Sequence, residues 1–354
     1  MIKRLFPCIL LHIAGASTSC ILDITQTPVA GETQMWSPLF QASWDKLHSL
    51  QPAELTKVIP PNPLIDQLQQ FTWEERTVMP ESSYATFAGK ATESFALETQ
   101  RKITQDFGIQ LDLSNLPSDA GGNAAVSVLK RTVTYSQRFY ESKQKPLLFK
   151  QSTGNTYPVK FFGTTGKASK RYRNKVSVLA HEPEDSTFTL SIGTTSGNEK
   201  VIIYLPSESL SFQDAIHQVA QQRQSPLQGT FGDLDDRYIH ENDTVKIPYL
   251  TLNANNDFTA MLQGYLYYGT NPTPWRMVAA KQYIEFNFTE REARIISSTS
   301  TGSDPFGGPP ECIPRNFICD RPFFIFLWRN QAKQPYFAAW IDSMDCLSPF
   351  KKRL

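Results

Sequence analysis

Two apolar, aromatic-rich runs near the C-terminus stand out in the hydropathy pattern. Residues 323–328 are almost continuously apolar, and 336–341 repeat the pattern. Runs of this kind read as strands covered on both faces. The polar stretch between them is short, so the pair predicts an antiparallel hairpin in a buried sheet. Upstream, a short strand at 33–36 enters a helix with Ser37 as N-cap and Pro38 at the first helical position. Leu39, Ala42, Ser43 and Leu47 give that helix a packing face. Residues 93–107 read as a helix with Phe95, Leu97, Ile103 and Phe107 apolar, ended by Gly108. A strand is expected at 109–113. Residues 71–78 fit a strand or a helix equally. Alternation marks a strand at 187–192, and 283–288 also reads as a strand. A helix is expected at 211–222, with a short helix start at Asn256, Asp257 and Phe258. This is an α+β layout with antiparallel sheets. No repeat and no clean linker divides the chain, so it reads as one domain.

The 354 residues suffice for a sizeable core, with 40% hydrophobic and 12% aromatic content. A net charge of +1 removes any global pull toward nucleic acid. Beyond the N-terminus no apolar run reaches the roughly 18 residues of a membrane span. The N-terminus itself has the layout of an export signal, assigned to residues 1–19. Lys3 and Arg4 precede an apolar run at 5–13 and the small residues Ala14, Gly15 and Ala16. Export places the protein in the secreted or periplasmic space. Ser17, Thr18 and Ser19 before Cys20 leave a second option, a lipid anchor on Cys20.

In an exported chain, disulfides are permitted. Cys312 and Cys319 close an eight-residue segment and are the candidate pair. His48, His181, His217 and His240 are scattered and no C-x-x-C occurs, so no metal and no cofactor is expected. Without a Gly-rich phosphate loop or a nucleophile elbow, no enzyme chemistry is expected either. The basic cluster at 167–175 reads as a solvated loop, and Asn242 and Asn287 begin glycosylation sequons.

The segment Phe317-Ile-Cys-Asp-Arg-Pro-Phe-Phe-Ile-Phe-Leu327 is similar to the C-terminal signature of the serpins, the serine-protease-inhibitor superfamily. Three further stretches resemble that family: the strand and Ser37-Pro38 helix start, the strand from 200 ending Leu205-Pro206-Ser207-Glu208, and the strand at 244–252 containing Ile247-Pro248-Tyr249. Residues 125–139 resemble a central strand in pattern only. Arg131 stands where the family has Asn, Phe139 where it has Trp, and Phe40 where it has a second Ser. The resemblance implies a single serpin-like domain at 25–347. It would have a central, mostly antiparallel sheet, further β-sheets, a bundle of helices and an exposed reactive loop within 289–319. The family's helix across the front of the main sheet has no room at 114–123.

In that family a serine protease takes the loop as an extended substrate, and the cut loop enters the main sheet as a strand. The resemblance places the hinge at Glu290, Arg291, Glu292 and Ala293. The inward-facing set then begins with Arg291, followed by Ala293, Ile295, Ser297, Thr299 and Thr301. All are small or apolar except Arg291, whose unpaired burial costs on the order of several kcal/mol. Spacing from the hinge puts the scissile bond near Ser303 and Asp304. Arg315, inside the Cys312–Cys319 ring, is a second candidate suited to a trypsin-like enzyme. The function implied is inhibition of a serine-type protease. The alternative is a non-inhibitory binding or structural relative whose hinge, at Glu290 and Arg291, blocks insertion.

Overall fold

A computed structural model describes residues 18–51, 54–114, 116, 121–135, 137–164, 172, 175–225, 230–231, 234–270, 273–290 and 313–351. The chain enters through strands β1 (Thr18–Ile21) and β2 (Thr33–Trp36), then helices α1 (Leu39–Ser49) and α2 (Pro63–Gln70). Strand β3 (Tyr84–Lys90), helix α3 (Glu93–Phe107) and strand β4 (Asn123–Thr132) follow. Next come β5 (Tyr140–Glu141), β6 (Phe161–Thr164), β7 (Val176–Glu182), β8 (Thr187–Gly193) and β9 (Glu199–Leu205). Helix α4 (Phe212–Gln224) leads to β10 (Thr244–Pro248), β11 (Leu250–Asp257) and β12 (Met277–Phe288). After residues 291–312 the chain resumes with β13 (Asn316–Ile318), β14 (Phe323–Arg329) and β15 (Phe337–Ile341).

Three sheets carry these strands. A seven-stranded sheet has the order β1-β2-β15-β14-β9-β8-β7, and a four-stranded sheet the order β11-β12-β4-β3. A second four-stranded sheet has the order β13-β10-β6-β5. The hairpin read from hydropathy is β14–β15, antiparallel from Phe323 opposite Ile341 to Leu327 opposite Phe337. Every residue of β15 is buried, because the large sheet is covered on both faces. The main core lies between the seven-stranded sheet and β11–β12–β4. Alternate residues of β4 split between two clusters, Ala125 and Leu129 facing the main core and Ala124, Val126 and Val128 facing outward, as a period of two demands. Phe286 of β12 meets Phe337 of β15 at 5.0 Å between ring centroids.

Local signals set α3 closely. Thr92 accepts the Phe95 N–H at 3.1 Å, and Gly108 ends the helix at φ +65°. Its apolar face differs from expectation, since Leu97 is 64% exposed. The strand expected at 109–113 is not laddered. Ile109, Leu111 and Leu113 still alternate inward, onto the outer face of β4. Residues 71–78 hold only the four-residue helix Glu75–Val78. The strand expected at 244–252 breaks at Tyr249 into β10 and β11, which belong to different sheets. Among the described residues the helices are few and cover the sheets, with α1 and α2 in contact through Gln41 Nε2, which donates to the Leu68 carbonyl at 2.9 Å. Among the described residues no helix lies between Gly108 and Asn123.

Cys20 sits within β1, paired in parallel opposite Met35, and its N–H bonds Asn256 Oδ1 of β11 at 3.0 Å. Burial pushes its thiol up to about 12. A buried mid-strand side chain with Thr18 and Ser19 laddered before it is the wrong place for a lipid anchor, so that option for Cys20 is corrected. Residues 1–17 lie outside the described residues. No helix among the described residues is long and apolar enough to cross a membrane.

Candidate functional site

The seam between β4 and β12 is the one parallel junction of its sheet; β11–β12 and β3–β4 are antiparallel. Its register runs from Met277 opposite Asn123 to Asn287 opposite Thr132. Parallel strands bond slightly less well per residue than antiparallel ones. On the outer face Lys130 Nζ reaches across the seam to Glu285 Oε2 at 3.4 Å. Beyond the last pair, the Val133 N–H donates to the Asn287 carbonyl at 3.3 Å. The strand β12 therefore delivers the chain to the 291–312 segment from the closed end of a parallel pair.

Glu290 stands at that exit and is tethered. Its Oε1 accepts from Arg138 Nη2 at 2.8 Å, while Arg138 also lies 3.7 Å from Glu141. Burial pushes the Glu290 carboxyl up, but hydrogen bonding from Tyr249 and Arg138 outweighs it and holds the group below its ordinary value. The hinge residues Arg291, Glu292 and Ala293 and the scissile candidates Ser303 and Asp304 lie outside the described residues.

At the far end, Arg315 is no exposed bait. Its guanidinium is caged by the 236–243 loop, with only 12% of the side chain exposed against 1% for Asp243. Arg315 Nη2 and Nε donate to Asp243 Oδ2 at 2.7 and 3.1 Å. Nη1 donates to the Asp236 carbonyl at 3.0 Å and Nη2 to the Tyr238 carbonyl at 2.5 Å. The Arg315 backbone N–H donates to Asp243 Oδ1, and its carbonyl accepts from Thr244. The cation also lies 5.3 Å from the Phe317 ring. A protease cannot take into its pocket a side chain held this way, so the Arg315 scissile assignment is corrected: it is the anchor of β13.

The same strand end is packed by rings. Phe317 is fully buried against Phe188 and His181, at 5.5 and 4.9 Å. Burial, and then the Arg315 charge, hold the His181 imidazole below the ordinary histidine range. Gly163 of β6 permits the close approach to β10 that supports this stem, since a Cβ there would meet the Val245 carbonyl oxygen at 1.8 Å. Cys319 follows β13 as a free, fully buried thiol. The ring with Cys312 is thus not seen, and Cys312 lies outside the described residues.

Behind the seam, Arg131 of β4 forms an ion pair with Glu199, the first residue of β9. The Tyr336 hydroxyl donates to Glu199 Oε2 at 2.7 Å, and the Tyr336 carbonyl accepts from the Ser37 hydroxyl at 2.7 Å. Arg131 Nη1 donates to Ser83 Oγ at 3.3 Å. Asp243, Arg138, Glu199 and Tyr336 escaped the reading of the sequence. Asp243 was visible only as the middle of a sequon, and an unusual Arg131 was the sole hint of Glu199. Among the described residues no group of His, Cys, Asp and Glu is arranged to hold a metal ion.

No protein-family model and no curated protein sequence matches the chain. Solved structures do. The thermophilic serpin tengpin in its native state aligns with a TM-score of 0.58 at 10% identity, covering 91% of each chain. Uncleaved ovalbumin aligns with a TM-score of 0.54 at 10% identity, covering 89% of this chain and 94% of its own. Serine protease inhibitor (serpin) 12 of Manduca sexta gives 0.50 at 13% identity, covering 81% and 82%.

Proposed function

From the serpin fold that this chain carries, we propose that residues 291–312 serve an exported protein as bait for a serine protease. After the cut, the arm following Glu290 is drawn into the seam between β4 and β12. The observation that supports this most is the parallel pair itself, which is continuous with the bait segment. A strand folding back between β4 and β12 lies antiparallel to both. It replaces one parallel ladder with two antiparallel ones, a net gain of backbone hydrogen bonds. The protease, still joined to that arm, is carried away from the loop's anchored end.

A second reading is favoured by one specific observation, the Glu290–Arg138 tether. With the hinge held by an ion pair and followed by Arg291, entry is slow and the protein acts as a non-inhibitory serpin-fold binder. Incubation with trypsin-, chymotrypsin- and elastase-like proteases separates the two. Inhibition gives an SDS-resistant adduct and a large rise in melting temperature of the cut chain. Clean cleavage within 291–312, with no adduct and no rise, assigns the second reading. Resistance of that segment to every protease removes both.

A further inference from the structure

We propose that the cleft enclosed by β2, the loop after β1 and helices α1 and α2 is a binding site for a small uncharged amphiphile. The cleft has a volume of about 420 Å³, within the roughly 300–1,000 Å³ of sites that take small molecules. Its lining is apolar surface that the fold leaves partly open. Trp36, the last residue of β2, meets Phe71, just past the end of α2, edge to face at 6.3 Å between centroids. Leu22, Ile24 and Leu64 face the same space, and like Phe71 they are half-buried. The walls are fixed before any ligand arrives. The Ile24 carbonyl accepts the Gln213 N–H of α4 at 2.9 Å. Gln41 of α1 holds the Leu68 carbonyl of α2. Asn62 caps α2 by accepting the Leu64 N–H at 3.0 Å, and its Nδ2 donates to the Met261 carbonyl at 3.0 Å. A preformed cleft spares a ligand the cost of ordering loops.

The polar part of the lining sets the ligand class. Three exposed glutamines, Gln67, Gln70 and Gln213, and the buried Gln41 supply amides, and among the described residues no charged side chain lines the cleft. The acids beside it are engaged elsewhere. Asp23 closes its own turn, accepting from the Thr25 N–H and hydroxyl at 2.9 and 2.6 Å. Asp45 is held by Gln41 Nε2 and Trp73 Nε1 at 2.7 and 2.8 Å. Other clefts of similar size do present charge, one through Asp45 and Glu54, another through Asp236 and Arg315. An ion entering the glutamine-lined cleft would leave water with no counter-charge to meet it, which is costly. A neutral molecule avoids that cost and buries its apolar body against Trp36, Phe71 and the aliphatic wall. Glutamine amides both donate and accept, so a hydroxyl, carbonyl or amide on the ligand finds a partner in either orientation. No residue of β4, β12 or 290–316 lines the cleft, and binding there does not depend on the bait reading.

Two fluorescent probes test this, phenylnaphthylamine and its sulfonate, anilinonaphthalenesulfonate, which share one ring system and differ by a charge. Each is titrated into the full chain and read by its own emission and by energy transfer from tryptophan. The expected result is a single site for the neutral probe, bound at least about tenfold more tightly than the sulfonate. Leu64→Trp fills the cleft and is expected to weaken the neutral probe at least about tenfold. Gln67→Arg/Gln70→Arg, at exposed positions, is expected to bring the sulfonate to within about threefold of the neutral probe. Equal affinity for the two probes in the wild type, or weak binding spread over many sites, overturns the proposal. So does neutral-probe binding unmoved in a folded Leu64→Trp variant. Should that variant not fold, the arginine pair decides, and sulfonate binding unmoved by it overturns the site. Failure of the neutral probe to bind at all does the same, including where sedimentation shows the cleft covered by a second copy of the chain.

Discussion

Removing the Asp243 carboxylate leaves the largely buried Arg315 guanidinium against Phe317 with backbone carbonyls and the more exposed Asp236 carboxylate, 3.7 Å away, to answer it. Breaking one side of a buried pair in this way costs about 3–5 kcal/mol. Asp243→Ala is therefore expected to lower the denaturant midpoint sharply and to release β13 first, seen as loss of exchange protection at Phe317 and Ile318. In the wild type, trypsin is expected to spare the Arg315–Asn316 bond for as long as the fold lasts. Next to this cage, His181 is held neutral by burial and by Arg315. The unfolded chain takes up that proton near pH 6.5, roughly, whereas the folded chain resists until a lower pH. The fold keeps its full stability above the unfolded value and loses some as pH falls toward the folded one. Melting temperatures at pH 7.5 and 5.5 are expected to differ, and His181→Gln to narrow the difference. An unchanged difference would remove His181 from the linkage.

At the scale of elements, what could be read from the sequence was whatever is decided locally. The bounds of α3 follow from Thr92 and Gly108, and the β14–β15 hairpin from two apolar runs and a short turn. The 109–113 strand failed because a ladder needs a neighbouring edge, which alternation cannot supply; its side chains obey the pattern while its backbone does not. The break at Tyr249 was equally hidden, since both halves are strands and only the sheet assignment changes. Arg315 misled because an Arg beside Pro and between cysteines looks like bait until the 236–243 loop is placed around it. β1 carries a processing prediction. Thr18 opposite Thr33 begins its ladder, so exported material is expected to start no later than Thr18, as N-terminal sequencing would show. Cys20→Ser is expected to leave membrane fractionation unchanged. Burial pushes Cys20 and Cys346 up to about 12, and Cys319 upward as well. None of the three thiols should be alkylated at pH 8 before the chain unfolds.

For the whole molecule, the proposed insertion sets the balance between inhibitor and substrate at its first step. Burying Arg291 without a partner adds about 3 kcal/mol to that step, which slows it more than a hundredfold. The wild-type chain, once cut, is then expected to behave mainly as a substrate and to gain little melting temperature. Arg291→Thr should raise both the thermal gain after cleavage and the yield of covalent adduct. A large gain already in the wild type, or no effect of Arg291→Thr, would refute this account of the hinge.

The length of β12 also acts as a ruler. Twelve residues at about 3.3 Å each make a slot roughly 40 Å long. An arm cut after Ser303 brings thirteen residues from Arg291 onward, about 43 Å when extended, and fills the slot from end to end. A cut after Arg315 would bring twenty-five, about 83 Å, and half of that arm would trail from the far end of the sheet with nothing to pair with. On the proposed insertion, the slot favours a cut near Ser303 over one at the caged Arg315, and trimming or lengthening 291–303 by a few residues should shift that point by the same count.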